Sequence, residues 1–164
     1  MPPRKAPVSK RHLEPHRKTR NDGASFTGAT MTAFPPRFFV TPEQIDAQVA
    51  AFYAAVRQHP QLGPVFARHV TDWPAHEEKI GRFWRNAILR EGVYDGSPML
   101  AHRQAGDVTP DHFPVWLDLF DTTLARTLPP EAAAAWSAIA HRIGRALSMG
   151  VTEARRPEGS VPRF

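Results

Sequence analysis

The chain has 164 residues and contains no cysteine. This absence excludes disulfides, thiolate metal sites and cysteine nucleophiles, and it suits a reducing compartment, so we expect a cytoplasmic protein. No run of about 18 apolar residues occurs, so no membrane-spanning segment and no membrane partner are predicted. The first residues are charged but lack the apolar segment of a secretory signal, so none is expected.

Excess positive charge is also missing from most of the chain, although the formal net charge is +5. Residues 1–30 hold seven of the 21 Lys and Arg residues and only two of the 16 Asp and Glu residues. The remaining residues therefore carry equal numbers of basic and acidic side chains. This distribution argues against nucleic-acid binding by the folded part and leaves open only weak, salt-dependent binding by the N-terminal segment.

The chain divides into three regions by pattern. Residues 1–36 lack apolar periodicity and are rich in Pro, Lys and Arg, which predicts a disordered, basic and dispensable extension. Residues 37–151 carry helical patterns and are predicted to form one domain. Residues 152–164 are predicted to be a frayed C-terminal tail.

Helical periodicity without any convincing strand predicts an all-α domain of about five helices. The first begins with Thr41 as N-cap, Pro42 in the first turn and Gln44 as capping-box partner. LGPVFARHV is predicted to be a connector with about one helical turn, Thr109 and Pro110 are predicted to begin a later helix, and the last helix should end near Gly150. The apolar stripes of the four longer helices are Ile45, Val49, Phe52 and Val56; Ile80, Phe83 and Ala87; Phe113, Leu117, Phe120 and Leu124; and Trp136, Ile139, Ile143 and Leu147.

Several polar side chains fall on or beside these apolar faces. His76 begins the stripe of its helix, Tyr53 lies at the edge of another, and Trp116 brings an indole N–H to the inner side of a third. His102 lies in the last turn of a short helix, after apolar residues. Each has an ordinary interpretation as a packing residue. Their convergence nevertheless suits haem, which needs an axial imidazole on one face and is met by hydrogen-bond donors on the other.

Four sequence blocks narrow this hypothesis: FYAAVRQHPQLGPVF, then W-x-x-H followed by KIGRFW, then GVYDGSPMLAH, and finally HFPVWLDLF. Through these blocks, their order and their spacing, the stretch from about Phe38 to Val151 resembles the group III truncated haemoglobins. The chain has no Gly-Gly pair, the motif of the other two truncated groups, which agrees with group III. The N-terminal extension is longer than the family norm, so the resemblance says nothing about its role.

The resemblance implies a two-over-two helical sandwich that holds haem b and its iron. His102 would be the proximal iron ligand, and Tyr53, His76 and Trp116 would be the distal residues. Lys79 matches a position where the family often has a basic residue near a haem propionate, and this match is less specific than the others.

The apolar residues before His102 would then line the porphyrin, Met99 among them. The implied function is reversible binding of O₂ or another diatomic gas on ferrous iron. Strong distal donors should slow release, which favours storage, sensing, redox, NO or peroxide chemistry over bulk oxygen delivery. Such roles would involve a reductase that is not identified. No catalytic base or substrate pocket is apparent, so the sequence does not indicate an enzyme.

Two other classes of function were weighed. A helical di-metal protein needs repeated Glu-x-x-His motifs or several inward carboxylates, and the inward faces carry almost none. A non-haem helical module could use the basic N-terminal arm to bind nucleic acid. The absence of net charge beyond that arm counts against this alternative.

Overall fold

A computed structural model describes residues 36–156 of the chain. The predicted extension, except for its last residue, and residues 157–164 of the predicted tail lie outside this range. The described residues form helices and no strand, as predicted. No helix among them is long and apolar enough to cross a membrane. The helices are α1 (Pro42–Gln58), α2 (Leu62–His69), α3 (Trp73–Leu89), α4 (Pro98–Gln104), α5 (His112–Thr127) and α6 (Pro130–Ala154).

Helix α1 begins as the sequence predicts. The Thr41 side chain accepts a hydrogen bond from the Gln44 N–H at 3.2 Å, and the Gln44 side chain accepts one from the Thr41 N–H at 2.9 Å. This reciprocal pair satisfies two backbone donors that the first turn would otherwise leave free. The predicted apolar stripe of α1, from Ile45 to Val56, is fully buried.

Three helix boundaries differ from the predictions. LGPVFARH is a complete helix, α2, rather than one turn in a connector. Helix α5 begins at His112 rather than at Thr109, because the His112 ring accepts the Thr109 N–H at 3.0 Å and holds that residue in the preceding turn. Helix α6 continues to Ala154, past Gly150, because Val151 is buried and extends the apolar face by another turn.

The helices pack as two pairs. Helix α1 packs on α3, α5 packs on α6, and contacts between α1 and α5 join the pairs. This is the two-over-two arrangement that the resemblance implies. Helix α2 packs on α1, and α4 packs on α6. The core lies where the pairs meet and contains Phe52, Trp84, Phe120 and Trp136, each at most 2% exposed.

Helix α3 separates a core face from a second apolar face. Its fully buried apolar side chains are Trp84 and Ile88. The predicted inward residues Ile80, Phe83 and Ala87 are half-buried and pack against the core, and Ile80 and Phe83 also line a cavity. Periodicity therefore identified the inward face correctly but could not show that this face also borders a cavity.

Candidate functional site

Helix α4 carries His102, and its N-terminus is defined by a capping residue and a proline. The Ser97 side chain accepts the Leu100 N–H at 3.3 Å, and Pro98 occupies the first turn, where its missing N–H costs no hydrogen bond. One turn later, Nδ1 of His102 lies 2.7 Å from the Pro98 carbonyl oxygen. The backbone of α4 thus fixes the orientation of its own histidine.

The hydrogen bond to Pro98 also determines which ring nitrogen of His102 carries the proton. A carbonyl oxygen can only accept, so Nδ1 of His102 must donate. In the neutral ring, Nε2 then keeps its lone pair. This is the arrangement of a metal-ligating imidazole whose other nitrogen is held by a backbone carbonyl.

His102 lines a cavity of about 330 Å³, within the range of small-molecule and cofactor pockets. Side chains from all six helices contribute to its wall, which is mostly apolar. Helix α4 contributes Pro98, Ala101 and His102, which recur at helical spacing and share one face.

The predicted polar residues of α1 and α3 meet at this cavity. Tyr53 and His76 both line it, and their rings lie edge to face with centroids 4.8 Å apart. The Nε2 atom of His76 is buried and has no hydrogen-bond partner within residues 36–156. A buried polar atom without a partner is costly, so this nitrogen is suited to a group that enters the cavity.

Burial also sets the protonation of these two side chains. It lowers the pKa of His76 below its usual range, Lys79 adds to this effect, and Glu77 opposes it. Burial, with a smaller contribution from Glu77, raises the pKa of Tyr53 well above its usual range. At neutral pH His76 is therefore uncharged and Tyr53 keeps its O–H as a donor.

Trp116 and Lys79 reach the same cavity from different helices. Trp116 is half-buried on α5, where it stacks on Phe120 with centroids 4.8 Å apart and meets the edge of Phe52 at the same distance. Lys79 lies one turn after His76 on α3 and is exposed, although part of it lines the cavity. Among the described residues, Lys79 is thus the one Lys or Arg side chain that lines this mostly apolar cavity.

Met99 does not join the other predicted residues. It is half-buried, and it does not line the cavity. Its sulfur packs against Gly150 of α6, where it would lie 2.1 Å from a Cβ added to that glycine. Because Met99 is one residue from Pro98, it projects about 100° around the helix from the cavity face. The expectation that Met99 lines the porphyrin is therefore corrected to a contact between α4 and α6.

Two histidines that the sequence analysis missed also line the cavity, His69 and His112. Nδ1 of His112 accepts the Thr109 N–H, and His69 lies with Nε2 2.5 Å from the Asp107 carboxylate. His112 stands one helical turn before Trp116, so their shared face was a usable signal. Within residues 36–156, neither His69 nor His112 has a backbone carbonyl at Nδ1 as His102 has.

Comparisons with known proteins show what the sequence and the fold of this chain are similar to. No family model matches the chain. The chain is 34% identical over 89 residues to the curated Group 3 truncated hemoglobin ctb of Campylobacter jejuni, an alignment that covers 52% of this chain and 70% of that relative. A crystal structure of the group III truncated hemoglobin from Campylobacter jejuni superposes with a TM-score of 0.67 at 28% identity, covering 75% of this chain and 97% of that one.

Proposed function

The chain belongs to the group III truncated haemoglobins, and on this premise we propose that it holds haem b through His102 and reversibly binds O₂ or another diatomic gas. The observation that carries the proposal is the 2.7 Å contact between Nδ1 of His102 and the Pro98 carbonyl oxygen, at the wall of an apolar cavity. It leaves the lone pair on Nε2 of His102 free to bind iron. When bound, haem supplies a ferrous iron that takes up a diatomic gas.

The cavity suits a haem in its chemistry. Its wall is mostly apolar, as a porphyrin requires, and Lys79 places a cation at its edge for a propionate. Phe113 lies beside His102, with ring centroids 5.6 Å apart, and packs against the imidazole. His102 would be the iron ligand, and Lys79 would bind a propionate.

Tyr53, His76 and Trp116 would serve as hydrogen-bond donors to the bound gas. Tyr53 keeps its proton because the hydroxyl is buried, and the indole N–H of Trp116 can only donate. Neutral His76 adds a ring N–H on one nitrogen. A hydrogen bond to an acceptor that carries partial charge is worth roughly 1.5–3 kcal/mol, so these donors slow the release of a polar gas.

Slow release favours storage, sensing or redox chemistry with NO or peroxide over bulk oxygen delivery. A reductase partner would keep the iron ferrous.

Among the described residues, His102 stands apart from His69 and His112 because its Nδ1 is held by a backbone carbonyl of its own helix.

A direct experiment is to reconstitute the purified protein with haem, reduce it under nitrogen and record absorption spectra before and after O₂ and then CO. We expect a Soret band that shifts with each gas and reverts when O₂ is removed. A protein that forms no Soret band with added haem would refute the proposal.

A further inference from the structure

A cluster outside the cavity joins the start of α3 to α1. The guanidinium of Arg57 on α1 lies 4.8 Å from the centroid of the Trp73 ring, at the first residue of α3. Nη1 of the same arginine is 2.7 Å from the Glu77 carboxylate, one turn further along α3. Arg57 therefore binds two residues of α3 at once, by a cation–π contact and by an ion pair.

His76 lies between the two α3 residues that Arg57 holds. Its ring meets the edge of Trp73 with centroids 6.0 Å apart, and it follows Trp73 by one helical turn. Tyr53 stands one turn before Arg57 on α1, and its ring is 5.9 Å from Trp73 and 4.8 Å from His76. The Arg57 cluster and the Tyr53–His76 pair therefore share the same two helical turns.

The contacts of His76 itself are weak. Three aromatic rings surround it, from Tyr53, Phe66 and Trp73, but no described residue hydrogen-bonds its Nε2 atom. A half-buried ring at the first turn of a helix, without a hydrogen bond at that nitrogen, leaves easily unless its neighbours hold that turn in place. The position of the first turn of α3 therefore sets the position of the His76 ring in the cavity wall.

We propose that Arg57 is a positioning residue, which clamps Trp73 and Glu77 and thereby keeps the imidazole of His76 beside Tyr53 inside the cavity. The effect of Arg57 on gas release rests on the proposed function. The placement of His76 is a property of the polypeptide, so a titration of its ring reports that placement independently of the rate of gas release. Arg57 does not line the cavity, so its effect on a bound gas passes through His76.

The charged groups near His76 allow positioning to be separated from a simple charge effect. On α3 these are Glu77, which raises the pKa of His76, and Lys79, which lowers it. From α1, Tyr53 packs against the His76 ring, and Arg57 contacts its α3 neighbours Trp73 and Glu77. Asp72 caps α3 by accepting the Ala75 N–H. Neutralising Glu77 would by charge alone lower the pKa of His76. Releasing the ring to solvent would raise that pKa towards the ordinary 6.5.

The test is an NMR titration of His76 in the ferrous CO form of the full chain, with the variants Arg57→Met, Arg57→Lys and Glu77→Gln. We expect the His76 pKa to rise in both Arg57→Met and Glu77→Gln by at least about 0.3, which is a twofold change in its protonation equilibrium. Arg57→Lys keeps the charge but not the planar stacking on Trp73, so it should recover part of the difference.

Arg85→Met is the matched control. Arg85 also joins α3 to α1, by an ion pair to Asp46 at 2.7 Å, but it lies far along α3 from His76. It should leave the His76 pKa unchanged. An Arg57→Met variant that raises the pKa while Glu77→Gln lowers it would reveal only a charge effect and overturn the proposal.

A second measurement uses stopped-flow O₂ release. Arg57→Met should speed release by a factor of about 2 to 5, the size expected for one exposed cation–π contact, and should change it less than twofold in a His76→Ala background. If Arg57→Met speeds O₂ release equally in the parent and in the His76→Ala variant, Arg57 does not act through His76. If the protein forms no Soret band, the proposed function fails. The His76 titration in the protein without haem then still decides the role of Arg57.

Discussion

The Tyr53 ring lies edge to face against His76, with centroids 4.8 Å apart, in the wall of the cavity that also holds His102. The pair comes from two helices, α1 and α3, that pack on each other. Tyr53 is 3% exposed, so its hydroxyl acts inside the protein and not on its surface. We therefore assign Tyr53 as a main donor to the gas in our proposal.

Replacing Tyr53 by Phe should release O₂ about ten to a hundred times faster. The change keeps the ring and removes only a hydrogen bond worth roughly 1.5–3 kcal/mol, where about 1.4 kcal/mol corresponds to a factor of ten. CO gains less charge and should respond less. Stopped-flow release from Tyr53→Phe, Trp116→Phe and the double variant measures this, since removing one donor of a network can strengthen another.

Tyr94 is the matched control, because the chain has only two tyrosines and both line the cavity. The Tyr94 hydroxyl lies against Gly96, 2.4 Å from where a Cβ would stand there. Tyr94→Phe should change O₂ release less than twofold. If neither single variant at Tyr53 or Trp116 nor the double variant releases O₂ faster than the parent, the distal assignment is wrong.

An acid-sensitive contact joins α2 to the loop between α4 and α5. Asp107 lies 2.5 Å from Nε2 of His69 and 2.6 Å from Nε of Arg68, and these two partners lower its pKa from 3.8 to about 2. Because the folded-state pKa is the lower one, the ionised carboxylate stabilises the fold fully above about pH 4. This contribution is lost as the pH falls from about 4 to about 2.

Asp107→Asn should therefore lower the urea midpoint at pH 7 and at pH 5, and the difference from the parent should shrink at pH 3. The effect will be modest, because the three side chains are each about a third or more exposed. Urea unfolding of both proteins at the three pH values measures it. A difference as large at pH 3 as at pH 7 would show that Asp107 does not act through its charge.

Gly63 lets α2 begin directly beside the end of α1. A Cβ at this position would stand 3.0 Å from the Arg57 carbonyl oxygen and 3.2 Å from that of Val56. Alanine usually favours a helix over glycine by about 0.5–1 kcal/mol, but here two backbone atoms would have to move. We expect Gly63→Ala to lower the free energy of unfolding by about 1 kcal/mol, as measured by urea denaturation. An increase in the free energy of unfolding would show that the backbone at the end of α1 can shift at little cost.

The sequence predicted the helices with strong local signals. The capping box of Thr41 and Gln44 and the stripe of α1 are formed as expected. Helix α2 was underestimated because Gln61 at its N-cap makes no side-chain hydrogen bond, and because Gly63 and Pro64 are poor helix formers. Helix α2 packs on α1, and Nδ1 of His59 accepts the Leu62 N–H at 3.2 Å; the packing on α1 could not be read from local patterns.

The residues of the candidate site were also predictable where they lie on helices with a clear local pattern. Tyr53, His76, Lys79, His102 and Trp116 all reach the cavity, whereas Met99 does not. Spacing along α4 could have excluded Met99, since Pro98, Ala101 and His102 share the cavity face. His69 escaped notice because its placement depends on Asp107, 38 residues away in sequence.

The most direct test of the central claim is a haem titration of the parent, His102→Ala and His112→Ala, followed by the ferrous absorption spectrum. His112→Ala removes another cavity histidine whose Nδ1 accepts from a backbone N–H, and it should retain haem with a normal Soret band. His102→Ala should lose most of its haem, because no other described histidine has the same support at Nδ1. Full haem retention by His102→Ala with an unchanged ferrous spectrum would contradict the account.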